Sequence, residues 1–168
     1  KYIEGVLPGE MATSFPLEAL KAQAICARTF FLFHFGKNHR YEPFDVCDDV
    51  HCQVFVGITK HDAKIRRAVQ ETKGYVLKYN NELCLTPYSG VCGGHTENSE
   101  NVWIGEGLPY LKGVFDIETN KPFLSGFDLS IEENIKKWVA NSPTVFCNAE
   151  IHGDPKFASY SKKYFRWT

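Results

Sequence analysis

Residues Phe15–Phe35 read FPLEALKAQAICARTFFLFHF, and this segment carries the strongest helical signal in the sequence. Apolar side chains recur in it at helical spacing, and others fill much of the opposite side, which is typical of a central, buried helix. Ser14 offers an N-cap oxygen, and Pro16 falls in the first turn, where its missing N–H costs nothing. Gly36 is placed to end the helix. We therefore predict a long, buried helix near the N-terminus.

Two further helices follow from capping signals. One is predicted over Lys60–Lys73, where Thr59 with Asp62 resembles a capping box and Gly74 fits the position after the last turn. The other is predicted over Ile131–Ala140 and opens with a second capping-box pattern.

Alternating residues on both sides of Asn80-Asn81 predict a β-hairpin, because asparagine tolerates the positive φ that a tight turn needs. Helices and antiparallel strands occur in blocks without a βαβ rhythm, so we predict the α+β class. The expected elements are the long buried N-terminal helix, a second helix, β-hairpins and a C-terminal helix. At 168 residues we expect one domain, residues 1–168. We expect it to be trimmed at both ends, since it starts at Lys1 without an initiator Met and stops at Thr168 without a terminal turn signal.

Composition excludes several classes of protein. Nineteen Lys and Arg against 20 Asp and Glu give a net charge of −1, which argues against nucleic-acid binding. Hydrophobic residues reach 43%, too many for a disordered chain, yet no apolar run is long enough for a membrane span. The six cysteines are irregularly spaced, and the sequence does not choose between disulfides and thiols.

Three polar loops could carry chemistry. In the first, Leu7–Met11, a turn at Pro8-Gly9 is expected to aim Glu10 at the N-terminus of the long helix. A glutamate in this position is more often simply solvated, so the loop by itself is a weak signal.

The second loop gathers Cys47, His51 and Cys52 within six residues, with His39 upstream. Thiolates and imidazoles at this spacing suit tetrahedral zinc. A short disulfide between Cys47 and Cys52, or two unlinked thiols, are the alternatives that remain open.

The third loop runs from Pro87 to Trp103 and contains the pair Gly93-Gly94, which lets a ligand approach the backbone closely. Its His, Thr, Ser and Trp residues are typical of a sugar-binding cleft. Phosphate is disfavoured, because no Lys or Arg lies between Lys78 and Lys112. A nucleophile–histidine pair is conceivable, with Ser89 or Cys92 next to His95, but a third member is not evident.

These motifs together resemble the SpoIID family, stage II sporulation protein D and its LytB-type relatives. The resemblance covers about Tyr2 to Asp116 and rests on several motifs in the family's order. They are GVLPGEM at 5–11, PLEALKAQA at 16–24, CQVFVG at 52–57, GGHTENSE at 93–100 and PYL at 109–111.

The resemblance implies a sporulation-related, extracytoplasmic enzyme of the cell envelope, periplasmic or secreted: a peptidoglycan lytic transglycosylase. Such a lyase cleaves the MurNAc–GlcNAc bond of peptide-free glycan strands and leaves 1,6-anhydroMurNAc ends. The family's catalytic acid and base corresponds to Glu10. The alternative is a non-catalytic glycan-binding module that activates or recruits a cell-wall amidase.

The resemblance also implies substrate contacts and one structural zinc ion, which the chemistry itself does not need. Arg28 could instead pair with Glu18 or Asp45, and Trp103 could be core. For the metal, Cys47, His51 and Cys52 are the expected ligands, and His39 is the expected fourth, in competition with Cys92 and His95. The expected substrate contacts are Arg28, Gln23, Tyr88, Ser89, His95, Thr96, Ser99 and Trp103.

Overall fold

The computed structural model describes residues 1–58, 62–117, 128–140 and 145–148. The chain groups into two compact units, Lys1–Tyr88 and Ser89–Thr168, and each is described by itself. The single domain over residues 1–168 stays a prediction.

Both units contain helices, and the described strands form one antiparallel pair, which confirms the α+β class. No helix in the described ranges is both long and apolar enough to cross a membrane. The elements are α1 Tyr2–Glu10, α2 Leu17–His34, α3 Ala63–Glu71, β1 Lys78–Tyr79, β2 Glu82–Leu83, α4 Ser99–Val102 and α5 Glu132–Ala140.

The core of the first unit lies between α1, α2 and α3. Each helix contributes apolar side chains from one face, and these pack together away from water. The buried members are Ile3, Val6, Leu7, Leu20, Ala24, Ala27, Ile65 and Ala68.

The predicted long helix is confirmed as α2, although two of its details differ. Its N-cap is Pro16, which makes no side-chain capping bond, so the Ser14 cap is wrong. Leu32 is 41% exposed, so the last turns are not buried on every side. Gly36 follows the helix with φ +66, as predicted for a residue that ends it.

The predicted turn at Pro8-Gly9 is wrong, because α1 continues through both residues. Ile3, Val6 and Leu7 recur at helical spacing and are all buried. Burying this face outweighs the backbone hydrogen bond that Pro8 cannot make. The first polar loop is therefore the last turn of a helix.

The predicted second helix and hairpin are also present in this unit. Asp62 caps α3 by accepting hydrogen bonds from two backbone N–H groups, while its predicted partner Thr59 lies outside the described residues. Asn80 and Asn81 have φ of 49° and 67° and join β1 to β2, which confirms the tight turn. The Leu77 N–H donates to a threonine hydroxyl of α2 and so ties the hairpin to that helix.

The second unit contains the predicted C-terminal helix, α5, and the short helix α4, which was not predicted. Trp138 of α5 is 6% exposed and packs with Val145 and Cys147. A Cβ on Gly94 would lie 2.8 Å from the Trp138 ring, and Gly94 has φ +96, so this position requires glycine.

Candidate functional site

A cavity of about 260 Å³ opens in the first unit, next to the C-terminal end of α1. The half-buried Glu10 contributes the only carboxylate among the described residues that line it. An amide, a phenol and an apolar wall complete the lining. Its residues are Glu10, Phe30, Val50, Cys52, Gln53, Val54, Pro87 and Tyr88.

Close backbone packing holds Glu10 at this cavity. The Val56 N–H donates to the Gly5 carbonyl oxygen at 3.0 Å. A Cβ on Gly9 would lie 3.2 Å from the Val54 carbonyl oxygen, so α1 packs closely against this loop. Glu10 follows directly, and its position is therefore set by the backbone rather than by side-chain rotamers alone.

Gln53 connects the parts of the cavity. Its side chain is buried, with the residue 3% exposed. The Nε2 group donates to the Ala27 carbonyl oxygen at 3.2 Å and to the Tyr88 hydroxyl at 3.3 Å. Its Oε1 accepts from the Tyr2 hydroxyl at 3.3 Å. One amide thereby links α1, α2 and the end of the first unit.

The Tyr88 phenol is a proton donor over the whole physiological pH range. Burial raises the pKa of Tyr88 to about 12; the hydrogen bond from Gln53 lowers this pKa, and the nearby Glu10 carboxylate raises it. Tyr88, a predicted substrate contact, therefore shares the cavity with the predicted acid.

Gln53 was not predicted as a site residue, although it lies beside the predicted metal ligands and within the motif CQVFVG at 52–57. The sequence does contain a sign of its role: Gln53 is the only amide in Cys52–Phe55 and is followed by apolar residues. A polar side chain in such a run is buried only when hydrogen bonds satisfy it.

The structure brings the four predicted metal ligands together. One ligand atom from each of His39, Cys47, His51 and Cys52 lies within 4.8 Å of all the others. The His39 Nε2 is 3.2 Å from the Cys52 Sγ, and the His51 Nδ1 is 3.7 Å from both sulfur atoms. Two imidazoles and two thiols in this arrangement match the ligand set of a tetrahedral structural zinc site.

Groups around these ligands support the same chemistry. The His39 Nδ1 lies 2.7 Å from the Glu42 carboxylate, which orients the ring so that Nε2 faces the group. Backbone hydrogen bonding at Asp49 and then contact with His51 lower the pKa of Cys47 to about 6, which favours the thiolate.

Two predicted substrate contacts on α2 are not among the residues that line the cavity. The Arg28 guanidinium donates to the Tyr75 carbonyl oxygen at 2.8 Å and to the Thr72 hydroxyl at 3.3 Å. Arg28 thus ties α2 to the end of α3. In the described structure it bonds there instead of pairing with Glu18 or Asp45, the alternative partners considered for it. Gln23 is 9% exposed, and its Nε2 has no hydrogen-bond partner among the described residues.

The remaining predicted contacts belong to the second unit. His95 forms a β-bridge with Phe115 and packs edge-on against its ring. Thr96 makes three hydrogen bonds with Val114: its N–H and its hydroxyl donate to the Val114 carbonyl oxygen, and its hydroxyl accepts from the Val114 N–H. These contacts hold the motif that begins at Gly93 in a defined conformation.

The other three predicted contacts of the second unit, Ser89, Ser99 and Trp103, differ in how exposed they are to solvent. The Ser99 residue is buried, and its hydroxyl accepts from the Leu108 N–H at 2.8 Å. Trp103 is 49% exposed, which excludes a core position, and Ser89 is exposed at the start of the unit.

Comparison with known proteins identifies relatives of this chain. Residues 1–79 match the family model of SpoIID, stage II sporulation protein. An uncharacterized protein of Brachyspira hyodysenteriae is 43% identical over 158 residues, which cover 92% of this chain and 43% of that protein.

Two relatives from Bacillus subtilis carry functional names. Its amidase enhancer is 42% identical over 109 residues, 65% of this chain and 14% of that protein. Its stage II sporulation protein D is 34% identical over 128 residues, 68% of this chain and 37% of that protein. The chain thus spans less than half the length of each of these relatives. These matches, with the motifs above, place residues 1–79 of the chain in the SpoIID family.

Proposed function

We propose that this chain is a lytic transglycosylase that cleaves the MurNAc–GlcNAc bond of peptide-free peptidoglycan strands. The observation that carries the proposal is the cavity, where Glu10 lies with Tyr88 and Gln53 and is the sole carboxylate of the described lining. Membership of a cell-wall-related family supports this substrate class. Because peptidoglycan lies outside the cytoplasmic membrane, we place the protein there as well.

A single carboxyl group suffices for this reaction. Ordinary glycosidases use a second carboxylate to activate water or to attack the sugar. In the proposed reaction the C6 hydroxyl of the muramic acid is the nucleophile, and it closes a 1,6-anhydro ring. Glu10 first protonates the departing glycosidic oxygen and then accepts the proton of the C6 hydroxyl.

Tyr88 and Gln53 would assist Glu10 rather than replace it. Because the pKa of Tyr88 is about 12, its hydroxyl stays protonated and can donate to the Glu10 carboxylate after proton transfer. Gln53 holds that hydroxyl through its hydrogen bond at 3.3 Å, which makes it a positioning residue.

Glycan contacts in the second unit complete the proposal. The exposed indole of Trp103 offers a face on which a sugar ring can stack. Ser89, His95 and Thr96 belong to the same loop and can supply hydrogen bonds. Ser99 is a weaker candidate, because its hydroxyl already supports the Leu108 backbone.

We also propose that His39, Cys47, His51 and Cys52 hold one zinc ion with a structural role. Bound zinc would supply coordination bonds that fix the loop between these residues. Cys52 both belongs to this group and lines the cavity, and it directly precedes Gln53. Metal binding would therefore hold the positioning amide in place without taking part in bond cleavage.

A second candidate function is a non-catalytic module that binds glycan and activates a cell-wall amidase. The observation in its favour is the 42% identity to a protein named amidase enhancer. Such a module would need the glycan-binding surface but not the carboxylate of Glu10.

Measuring the cleavage and the binding of peptide-free glycan strands by wild type, Glu10→Gln and Glu4→Gln distinguishes the two functions. Glu4 is a matched control, since it lies on the same helix and pairs with the N-terminal amine at 3.6 Å. We expect Glu10→Gln to lose roughly a hundredfold or more in turnover. Its binding to sedimented strands should persist, and Glu4→Gln should cleave like wild type.

Retention of turnover by Glu10→Gln would contradict the proposed acid. If wild type cleaves nothing, while wild type and Glu10→Gln stimulate an amidase equally, the chain is the binding module instead.

A further inference from the structure

Two cysteines of the second unit lie in contact, although 55 positions separate them in sequence. The Sγ atoms of Cys92 and Cys147 are 3.5 Å apart, which is van der Waals contact between unbonded sulfur atoms. A disulfide needs about 2.05 Å, so an approach of roughly 1.5 Å would join them.

Their surroundings are apolar. Cys147 is 8% exposed, and Trp138 and Val145 are its buried neighbours. Five partly buried side chains extend this cluster: Val91, Cys92, Phe115, Ile117 and Leu129. A disulfide is a neutral group that such a cluster accommodates without a desolvation cost for charge.

The backbone already fixes the two cysteines relative to each other through Asp116. Its N–H donates at 3.0 Å to the carbonyl oxygen of Gly94, two residues after Cys92. Its carbonyl oxygen accepts from the Phe146 N–H at 2.8 Å, and its carboxylate accepts from the Cys147 N–H at 3.0 Å. These bonds hold the segment that carries Cys147 against the segment that follows Cys92, so the two sulfur atoms already lie close to each other.

We propose that Cys92 and Cys147 form a disulfide bond that closes the second unit. The oxidant is the disulfide of a small thiol, such as oxidised glutathione, or of a thiol–disulfide oxidoreductase. One cysteine attacks it and releases one thiol, and the second cysteine attacks the mixed disulfide and releases another. The two cysteine protons leave with the two released thiols, and one S–S bond replaces another.

A metal ion is the competing occupant, since Asp116 lies within 4.8 Å of both sulfur atoms. The number of donors favours the disulfide. The described part of the chain offers three donors here, two thiols and the Asp116 carboxylate, and not the four of a tetrahedral structural site.

The bond would act on the loop to which we assign glycan binding. It would anchor the start of the Gly93–Glu100 motif to residues 145–148 and so hold the predicted contacts His95 and Thr96 in place. This consequence, and the oxidising compartment it needs, rest on the proposed function, whereas bond formation itself does not depend on Glu10 or on glycan.

The test is to refold the reduced chain in a glutathione redox buffer, block remaining thiols with N-ethylmaleimide, and map tryptic peptides without reduction. Trypsin separates residues 79–112, with Cys84 and Cys92, from residues 138–156, with Cys147. We expect these two peptides to be joined in wild type and in the matched control Cys84→Ser, and to be separate in Cys92→Ser. Phosphine reduction should lower the wild-type melting temperature by about 5 °C or more.

Alkylation of both cysteines in refolded wild type, at every glutathione ratio, would overturn the proposal. Loss of one bound zinc ion per chain in Cys92→Ser/Cys147→Ser would also overturn it, in favour of a metal site. Neither result would touch the proposed reaction, because the cleavage assay with Glu10→Gln is independent of both.

Discussion

At the scale of single residues, Gln53 shows how a side chain outside the chemistry can organise a site. Its three hydrogen bonds join Tyr2 of α1, Ala27 of α2 and the Tyr88 hydroxyl. All three depend on one buried amide, so its loss would leave several polar groups without partners at once.

We predict that Gln53→Leu, which keeps the volume and removes the amide, lowers the free energy of unfolding by about 1–3 kcal/mol. Turnover should fall with it, because Tyr88 would lose its anchor. Urea denaturation and a turnover assay on the folded variant measure the two effects. The control is Gln70→Leu at an exposed position of α3, where we expect a change within about 0.5 kcal/mol. Equal stability of both variants would contradict the role of the amide.

The metal group makes a second prediction at residue scale. Wild type should contain about one zinc ion per chain, bound by His39, Cys47, His51 and Cys52. Cys47→Ser should lose it and melt at a lower temperature, because the ion contributes to folding. Cys26→Ser, outside the group, should keep its metal. Metal analysis by atomic spectroscopy decides the matter, and unchanged zinc in Cys47→Ser would refute the assignment.

At the scale of elements, α1 places the proposed acid, and its packing is tight enough to test. A Cβ added at Gly5 would collide with the Phe55 ring. We predict that Gly5→Ala costs about 1–3 kcal/mol in stability through overpacking and lowers turnover by displacing Glu10. The double variant Gly5→Ala/Phe55→Leu replaces the obstructing ring with a smaller side chain, so it should regain part of the stability and part of the turnover. Thermal melts and a glycan-cleavage assay measure the two effects. If Gly5→Ala alone is as active and as stable as wild type, α1 accommodates the added methyl group and the prediction is wrong.

The pair α2 and α3 carries an ion network with a pH signature. Glu71 lies 2.6 Å from both Arg67 and Lys21, and these bonds lower its pKa below the ordinary value of 4.5. A lowered carboxyl pKa means that its stabilisation is present above about pH 4.5 and is lost as the pH falls through the lowered value. We predict that the melting temperature of wild type falls further than that of Glu71→Gln when the pH is lowered from 5 to 3. The exposed Glu82→Gln should follow wild type, and parallel curves for all three would contradict the network.

At the scale of the whole molecule, the helical spacing of apolar residues predicted those helices in which the apolar face extends over several turns. The spacing of Phe15–Phe35 and the Asn80-Asn81 turn determined α2 and the hairpin, because local propensity and tertiary packing agree there. In α1 they conflict. Pro8-Gly9 favours a turn by local propensity, while burial of the helix face favours the helix, and only the packed structure shows which dominates.

The site was predictable to the extent that its residues are chemically distinctive. Glu10 and Tyr88, which the family resemblance singled out, line one cavity, and the four proposed metal ligands lie close together. Gln53 and the structural bonds of Arg28 were missed, since their roles depend on partners distant in sequence. A single sequence offers no means to pair such positions.

The proposed reaction and simple hydrolysis leave different chemical groups at the new end of the glycan strand. Mass spectrometry of the products from peptide-free glycan strands distinguishes an anhydro end from a reducing end by the mass of one water. We predict 1,6-anhydromuramic acid ends with wild type and none with Glu10→Gln. Reducing ends would rule out the proposed lytic reaction, because they require water as the nucleophile and a group to activate it.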